Sequence, residues 1–320
     1  MSRRTLWVWG RFLAPALVLA VLVWRLGTGP FLDGVRLVDA RALAAAAGIA
    51  LLTTLCCAWR WKTVARGLGV DLSLPGAVAA YYRSQFLNLT LPGGVVGDVH
   101  RGVSHGRDAR DVGRGLRAVA WERSAGQAVQ FVLTLVVLLV VPSPVHSIMP
   151  VVAVAAVVAT FIAVLVARAL PGGNHSVPAR VRTALGRDIR DALLSRGAWR
   201  SIALASALVV VGHAATFLIA ARTAGSTAPL TQMLPIALLA MTGMVLPSAA
   251  GWGPREGVTA WAFGAAGLGA QQGVTTAVVY GVMVFVACLP GVVVLVVAWF
   301  RRMRLPEASA RRLHETAVHA

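Results

Sequence analysis

The sequence is poor in the residues that catalytic and metal sites are built from. Its three cysteines, Cys56, Cys57 and Cys288, lie in apolar runs without paired spacing, so no disulfide framework is expected. The histidines, His100, His105, His146, His175 and His213 among them, show no ligand spacing, and neither a metal nor a cofactor is expected. No nucleophile elbow, phosphate-binding P-loop or dinucleotide fingerprint occurs, which argues against an enzyme. Acidic residues are also scarce, 12 against 30 basic ones, and Lys62 is the single lysine among the latter.

What fills the chain is apolar. Of 320 residues 58% are hydrophobic and 13% charged, with a mean hydropathy of +0.74. Runs of spanning length recur, and about 20 apolar residues cross a hydrocarbon core of ~30 Å at ~1.5 Å per helical residue. The composition predicts an all-α integral membrane protein. A net charge of +18 would suggest nucleic acid in a soluble protein. Here the arginines flank apolar spans, so anionic or phosphate-bearing lipids are the expected partners and nucleic acid is not.

Taken in order, spans are predicted at about Trp7 to Trp24, Ala42 to Trp59, Ser124 to Val141, 144 to 167, Ser201 to Ala221 and Val274 to Phe300. Ser2-Arg3-Arg4 has the outline of an export signal, but no cleavage-like segment follows, and a signal anchor is the reading adopted. Arg25, Asp33, Arg36, Asp39 and Arg41 read as a loop of mixed charge. Arg60, Lys62 and Arg66 read as a cytoplasmic flank by the positive-inside rule, which puts both termini in the cytoplasm. Residues 168–200 form a basic linker in which Val181 to Leu193 has one apolar helical face, suited to the membrane surface or to packing on the spans. Residues 301–320 are a basic tail. The ten tryptophans, Trp61 and Trp252 included, fall mostly near span ends and read as an interfacial belt.

Two segments break this pattern. Leu74 to Val96 is short on each side of Pro92 and reads as a re-entrant hairpin, its apolar run interrupted by Pro92, Gly93, Gly94 and Gly97 and followed by Asp98 and Arg101. Leu230 to about Gly269 is interrupted at Gly251-Trp252-Gly253-Pro254-Arg255-Glu256-Gly257, and reads as a second hairpin or as two crossings. Proline and exposed glycine backbone end a helix, and a break at membrane depth needs protein or a wet cavity to receive its polar groups. The architecture expected is therefore about 6 full spans plus two broken helical hairpins, or about 8 spans, in one membrane domain over 1–300.

Leu91-Pro92 through Arg101 resembles Leu246-Pro247 through Arg255: Leu-Pro, small residues, a Gly, then Arg four positions later. Repeats over about 42–167 and 201–300 would run in opposite senses, and paired Gly/Pro breaks in inverted repeats point to a midplane transport site. A helix starting after Gly97 would offer N–H donors and a positive dipole end to an anion, with Arg101 in its first turn. Arg255 could supply the opposing half of the site and Arg83 its mouth, or these arginines could simply snorkel. Asp98 stands at the N-cap position. Asn88 could bind a headgroup or satisfy the opened backbone. Glu122-Arg123 and Arg255-Glu256 are membrane-end charges, either proton carriers or ion pairs.

Asn88 with Leu91-Pro92-Gly93-Gly94, Gly97-Asp98 and Arg101, then Glu122-Arg123, then Gly251-Trp252-Gly253-Pro254-Arg255-Glu256, resemble the membrane domain of lysylphosphatidylglycerol synthases. The resemblance implies a plasma-membrane, flippase-like, pseudo-symmetric fold acting on or beside a lipid with a charged headgroup. A stand-alone member without the aminoacyltransferase domain is expected, since about twenty residues follow the last span. Ser248-Ala249 stands where the first motif has Gly93-Gly94. The leading expectation is a lipid translocase that holds a phospholipid, aminoacyl-phospholipid or polyprenyl-phosphate headgroup. The alternative is a scaffold that presents lipid to a separate glycosyltransferase or aminoacyltransferase.

Overall fold

A computed structural model describes residues 16–91, 93–169, 185–195, 197–246 and 248–300. The start of the first predicted span, Pro92, Pro247, most of the basic linker and the 301–320 tail lie outside them. Regular structure in the described residues is helical, apart from one isolated bridge between Ala249 and Trp252.

Helices α1 (Ala16–Leu26) and α2 (Gly29–Arg36) meet at 99°. The mixed-charge stretch predicted as a loop is thus largely helix α2, which lies on a later helix through Gly34. A Cβ on Gly34 would stand 2.7 Å from Val278 Cβ. Helix α3 (Ala40–Gly67) starts where Asp39 Oδ1 accepts the Ala42 N–H at 2.6 Å. It runs through Arg60 and Trp61, both buried, so the predicted cytoplasmic flank begins only near its end.

Helix α4 (Leu74–Thr90), capped by Ser73, and α5 (Val96–Asp108) form the first hairpin. Helix α6 (Val112–Val140), capped by Asp111, begins twelve residues before the predicted span. It packs against α5 without side chains between them: a Cβ on Gly115 would lie 2.4 Å from the Gly102 carbonyl and 2.6 Å from Gly106 Cα. Small residues of this kind let membrane helices touch backbone to backbone. Helix α7 (Met149–Ala169) follows a short turn at His146–Ile148.

Part of the linker is described: 185–188 is helical and Ile189–Leu193 is a π turn, whose Ala192 is buried against Gly67. Packing on the bundle is therefore what its apolar face does at that point. Helix α8 (Ala198–Thr223) lies antiparallel to α3, with Trp59 Nε1 bonded to Ser201 Oγ at 2.7 Å, Arg60 to Ser206, and Gly212 against Thr53. Helices α9 (Leu230–Gly243) and α10 (Pro254–Ala265) form the second interrupted segment. At ~1.5 Å per residue each is about 20 Å long, too short alone for a ~30 Å core. Helix α11 (Ala270–Ala287) passes a turn at 288–289 into α12 (290–300), and the pair makes one span, Ala270–Phe300. Gly291 brings α12 onto α4, where a Cβ would meet the Tyr82 carbonyl at 2.4 Å.

Among the described residues four helices are long and apolar enough to cross a membrane, or five spans if α1 and α2 count as one. Polarity is inverted relative to a water-soluble fold. Leu52, Val132, Val136, Val151 and Leu204 are exposed, whereas Arg60, Asp98, Arg101, Glu122, Arg255 and Glu256 are buried. Apolar side chains outside and charges inside suit hydrocarbon as solvent. The main core gathers Phe217, Met233, Ile236, Phe263, Tyr280 and Met283 from α8 to α11.

Candidate functional site

The first break separates Thr90 from Val96. Gly93 and Gly94 have φ of +93° and +68°, where a Cβ costs about 1–2 kcal/mol. Asn88, in the last turn of α4, reaches across: its Oδ1 accepts the Gly97 N–H at 2.7 Å, and its Nδ2 donates to Asp98 Oδ2 at 3.0 Å. A Cβ on Gly97 would lie 2.1 Å from the Ser84 carbonyl oxygen, so glycine is what allows α5 to fold back on α4. Two local expectations change. The helix starts at Val96, with Val95 at the N-cap and no side-chain cap, so Asp98 lies in the first turn and caps nothing. Arg101 consequently lies in the second turn.

Asp98 instead anchors a network of charges. Its Oδ1 accepts from Ser84 and Arg101, each at 3.0 Å, and its Oδ2 accepts from Asn88 and from Arg123 Nη2 at 2.5 Å. Glu122 of α6 is the second anchor. Its Oε1 accepts from Arg60 Nε at 2.9 Å, Arg60 Nη2 at 2.5 Å and the Tyr81 hydroxyl at 2.7 Å, and its Oε2 from Arg101 Nη2 at 3.0 Å. Arg60 Nη1 donates onward to Ser206 Oγ at 2.9 Å. Gly126 makes room for Arg60, since a Cβ there would meet the guanidinium at 2.7 Å.

Three arginines face two carboxylates, which leaves one positive charge in excess. The Arg101 guanidinium is fully buried, 4.0 Å from the Tyr81 ring centroid and 4.4 Å from that of Trp61. Its Nε and Nη1 have no hydrogen-bond partner among the described residues, and the two ring faces stand in for them. Arg123 differs: its side chain is 42% exposed, and it is the member through which the network meets the outside. Glu122 does not pair with its neighbour Arg123, since Glu122 is taken up by Arg60, Tyr81 and Arg101 and Arg123 by Asp98.

The second break runs from Gly243 to Pro254. Ala250, Gly251 and Gly253 have φ of +50°, +81° and +114°, and Ala249 and Trp252 exchange backbone hydrogen bonds of 3.0 and 3.1 Å. The left-handed pair matching Gly93-Gly94 is Ala250-Gly251, two residues beyond the Ser248-Ala249 that the sequence alignment selects. Arg255 is buried against Glu256 (Nε to Oε1, 2.9 Å), whose Oε2 accepts the Gly253 N–H at 2.7 Å. The Arg255 guanidinium also lies between two rings, 5.4 Å from Trp252 and 5.3 Å from Tyr280. The Tyr280 hydroxyl is 3.1 Å from His213 Nδ1.

The two breaks touch. The Gly93 N–H donates to the Ser248 carbonyl at 3.1 Å, and a Cβ on Gly251 would lie 2.9 Å from Leu89 Cδ2. Of the predicted site residues, Asn88, Gly97, Asp98, Arg101, Glu122 and Arg123 thus share one network, and Gly93 and Gly94 form its contact with the second break. Gly251, Gly253, Arg255 and Glu256 cluster at that second break, while Arg83 is half-buried on α4. The helix start expected to face an anion has its Gly97 N–H held by Asn88, and at the second break the Gly253 N–H is held by Glu256.

Sequence reasoning missed Arg60, Trp61, Tyr81, Ser84, Ser206 and Tyr280. Trp61 and Trp252, read as interfacial anchors, stack on Arg101 and Arg255. One signal for Arg60 was available: Thr53, Cys57, Arg60 and Val64 fall on one helical face, and all four are buried.

A helical bundle with exposed leucine and valine and an interior of ion pairs defines a multi-pass membrane protein. The chain belongs to the family described as lysylphosphatidylglycerol synthase TM region, which it matches over residues 7–291, and this gives it a membrane-lipid-related function. No curated protein and no solved structure matches it.

Proposed function

We propose that the chain is a translocase for a lipid with a phosphate-bearing headgroup, working in the plasma membrane with both termini cytoplasmic and making or breaking no covalent bond. One observation carries this reading. Two glycine-rich breaks meet at Gly93 and Ser248, and just beyond each lies an arginine held between two aromatic rings and a glutamate. Charges inside a membrane protein are costly enough to mark a pathway, and paired broken helices in two inverted halves mark its centre.

The carboxylates already present define how a headgroup would enter. Its phosphate meets the half-exposed Arg123 first and displaces Asp98 from it, an exchange of one anion for another that leaves Arg123 paired throughout. Arg101, which shares Asp98, then keeps Glu122 as its one carboxylate and has Nη1 and Nε to offer the phosphate, while the acyl tails stay in the bilayer. Arg255 releases Glu256 in the same manner at the second break.

The test is movement of headgroup-labelled phosphatidylglycerol, its aminoacylated form and a polyprenyl phosphate in proteoliposomes, with and without a proton gradient. Wild-type protein is expected to move one of them selectively, and Arg123→Gln to lose that movement while remaining folded, with a smaller loss of thermal stability than Glu122→Gln because Arg123 is half-exposed. Movement of none by wild-type protein would refute the proposal and favour a scaffold that presents lipid to a separate transferase.

A further inference from the structure

A cavity of about 260 Å³ opens where α3 ends, lined by Gly67, by Arg114 and Arg117 of α6, and by Arg187, Asp188 and Asp191 of the 185–195 segment. It uses the α6 face that carries Arg114, Arg117 and Trp121, whereas Glu122 faces α3 and α5. The cavity is therefore separate from the buried network.

Its wall is fixed rather than draped. Ala192 is fully buried, and a Cβ on Gly67 would stand 2.4 Å from Ala192 Cα and 2.6 Å from the Asp191 carbonyl oxygen. Trp121 Nε1 donates to Asp188 Oδ2 at 3.1 Å, and Arg117 Nε pairs with the same oxygen at 3.1 Å. These bonds commit the Asp188 carboxylate, which is 8% exposed. Arg114 Nε is tied to Asp111 Oδ2 at 3.3 Å.

Arg114 and Arg117 thereby each engage Nε, and a guanidinium has four further N–H donors on its two terminal nitrogens. Arg187 makes no hydrogen bond or ion pair among the described residues. Asp191 is the one lining carboxylate without a partner among them. Three planar forks around a small cavity match the oxygens of a phosphate better than point charges would. The volume suits a headgroup or small phosphorylated molecule rather than a larger ligand.

We propose that this cavity is a phosphate-binding site, serving either an anionic lipid headgroup at the bundle's end or a soluble phosphate ester. It does not depend on the translocase reading, because none of its residues belongs to the network described above.

Full-length protein in phosphatidylcholine nanodiscs tests it in two arms, one adding phosphatidylglycerol to the discs and one adding glycerol 3-phosphate to the buffer, read by phosphorus NMR and native mass spectrometry. Arg117→Gln with Arg187→Gln is expected to weaken binding about tenfold in the arm that binds, and the exposed Arg187→Gln alone about threefold. Asp191→Asn is expected to tighten it about twofold, a gain that a folding defect cannot produce. The responding arm identifies the source of the phosphate. Binding in neither arm, equal binding by wild type and the double variant, or unchanged affinity in Asp191→Asn would each overturn the proposal.

Discussion

Replacing Glu122 by glutamine tests the central network most directly. The carboxylate takes three donors on Oε1, two from Arg60 and one from Tyr81, and a fourth from Arg101 on Oε2. Glutamine keeps one acceptor but turns an amide N–H₂ toward one of the arginines, so a donor meets a donor. The buried charge balance moves from one positive excess to two. Removing one partner of a buried ion pair costs about 3–5 kcal/mol. At about 2 °C per kcal/mol for a chain of this size, Tm should fall by about 6–10 °C in detergent.

The double variant Arg60→Gln with Glu122→Gln restores the original balance and should recover at least about 1 kcal/mol relative to the sum of the single variants. Thermal scanning of the four proteins, with size-exclusion profiles as a check on folding, gives the full cycle. A Glu122→Gln protein within about 2 °C of wild type, or strictly additive losses, would refute the claim that these side chains act as one unit.

Gly97→Ala should destabilise more than Gly93→Ala. The first drives a Cβ to 2.1 Å from the Ser84 carbonyl, while the second strains only a φ of +93° in open space; equal losses of Tm would contradict this. Arg255→Lys keeps the charge but not the flat cation between Trp252 and Tyr280, and should cost about 1–2 kcal/mol in thermal unfolding. Wild-type stability in that variant would remove the stacking argument. Gly115→Ala should disrupt the α5 and α6 contact, whereas Gly48→Ala, with nothing within 4 Å, should be neutral or gain up to about 1 kcal/mol. Reversed rankings in a scan of both would show that the close packing is misassigned.

The two breaks were legible because proline and glycine act locally, and so was the helical, membrane-embedded character of the chain. The network was not, since its bonds join residues far apart in sequence. Arg60 reads as the end of a span until its partner is known, and that partner, Glu122, lies 62 positions away. The adjacent pair Glu122-Arg123 suggested a local ion pair, but the two side chains leave α6 in different directions and find Arg60, Arg101 and Asp98. Arg255 and Glu256 do pair, because Glu256 turns back to cap its own helix. The stretch from Arg25 to Arg41 looked like a loop by charge alone. Gly34 shows instead that it offers a small-residue face to α11.

The distance in sequence between Arg60 and Glu122 bears on how the protein is made. An arginine alone at the centre of a membrane helix disfavours insertion by about 2.5–3.5 kcal/mol, and Arg60, two turns from the end of α3, carries a smaller share of that cost. When α3 first leaves the ribosome, the carboxylate that neutralises Arg60 is still to be synthesised, and so is the Ser206 hydroxyl on α8. Helices α4 and α5, each shorter than α3 and α6, arrive in between with Tyr81, Asp98 and Arg101. The helix that supplies a negative charge to Arg60 is α6, so the Arg60 end of α3 needs shelter, from the insertion machinery or by staying close to water, until α6 has joined it. The order of synthesis therefore leaves Arg60 uncompensated until α6, the second long helix, has followed the short α4 and α5 hairpin that ends up between it and α3.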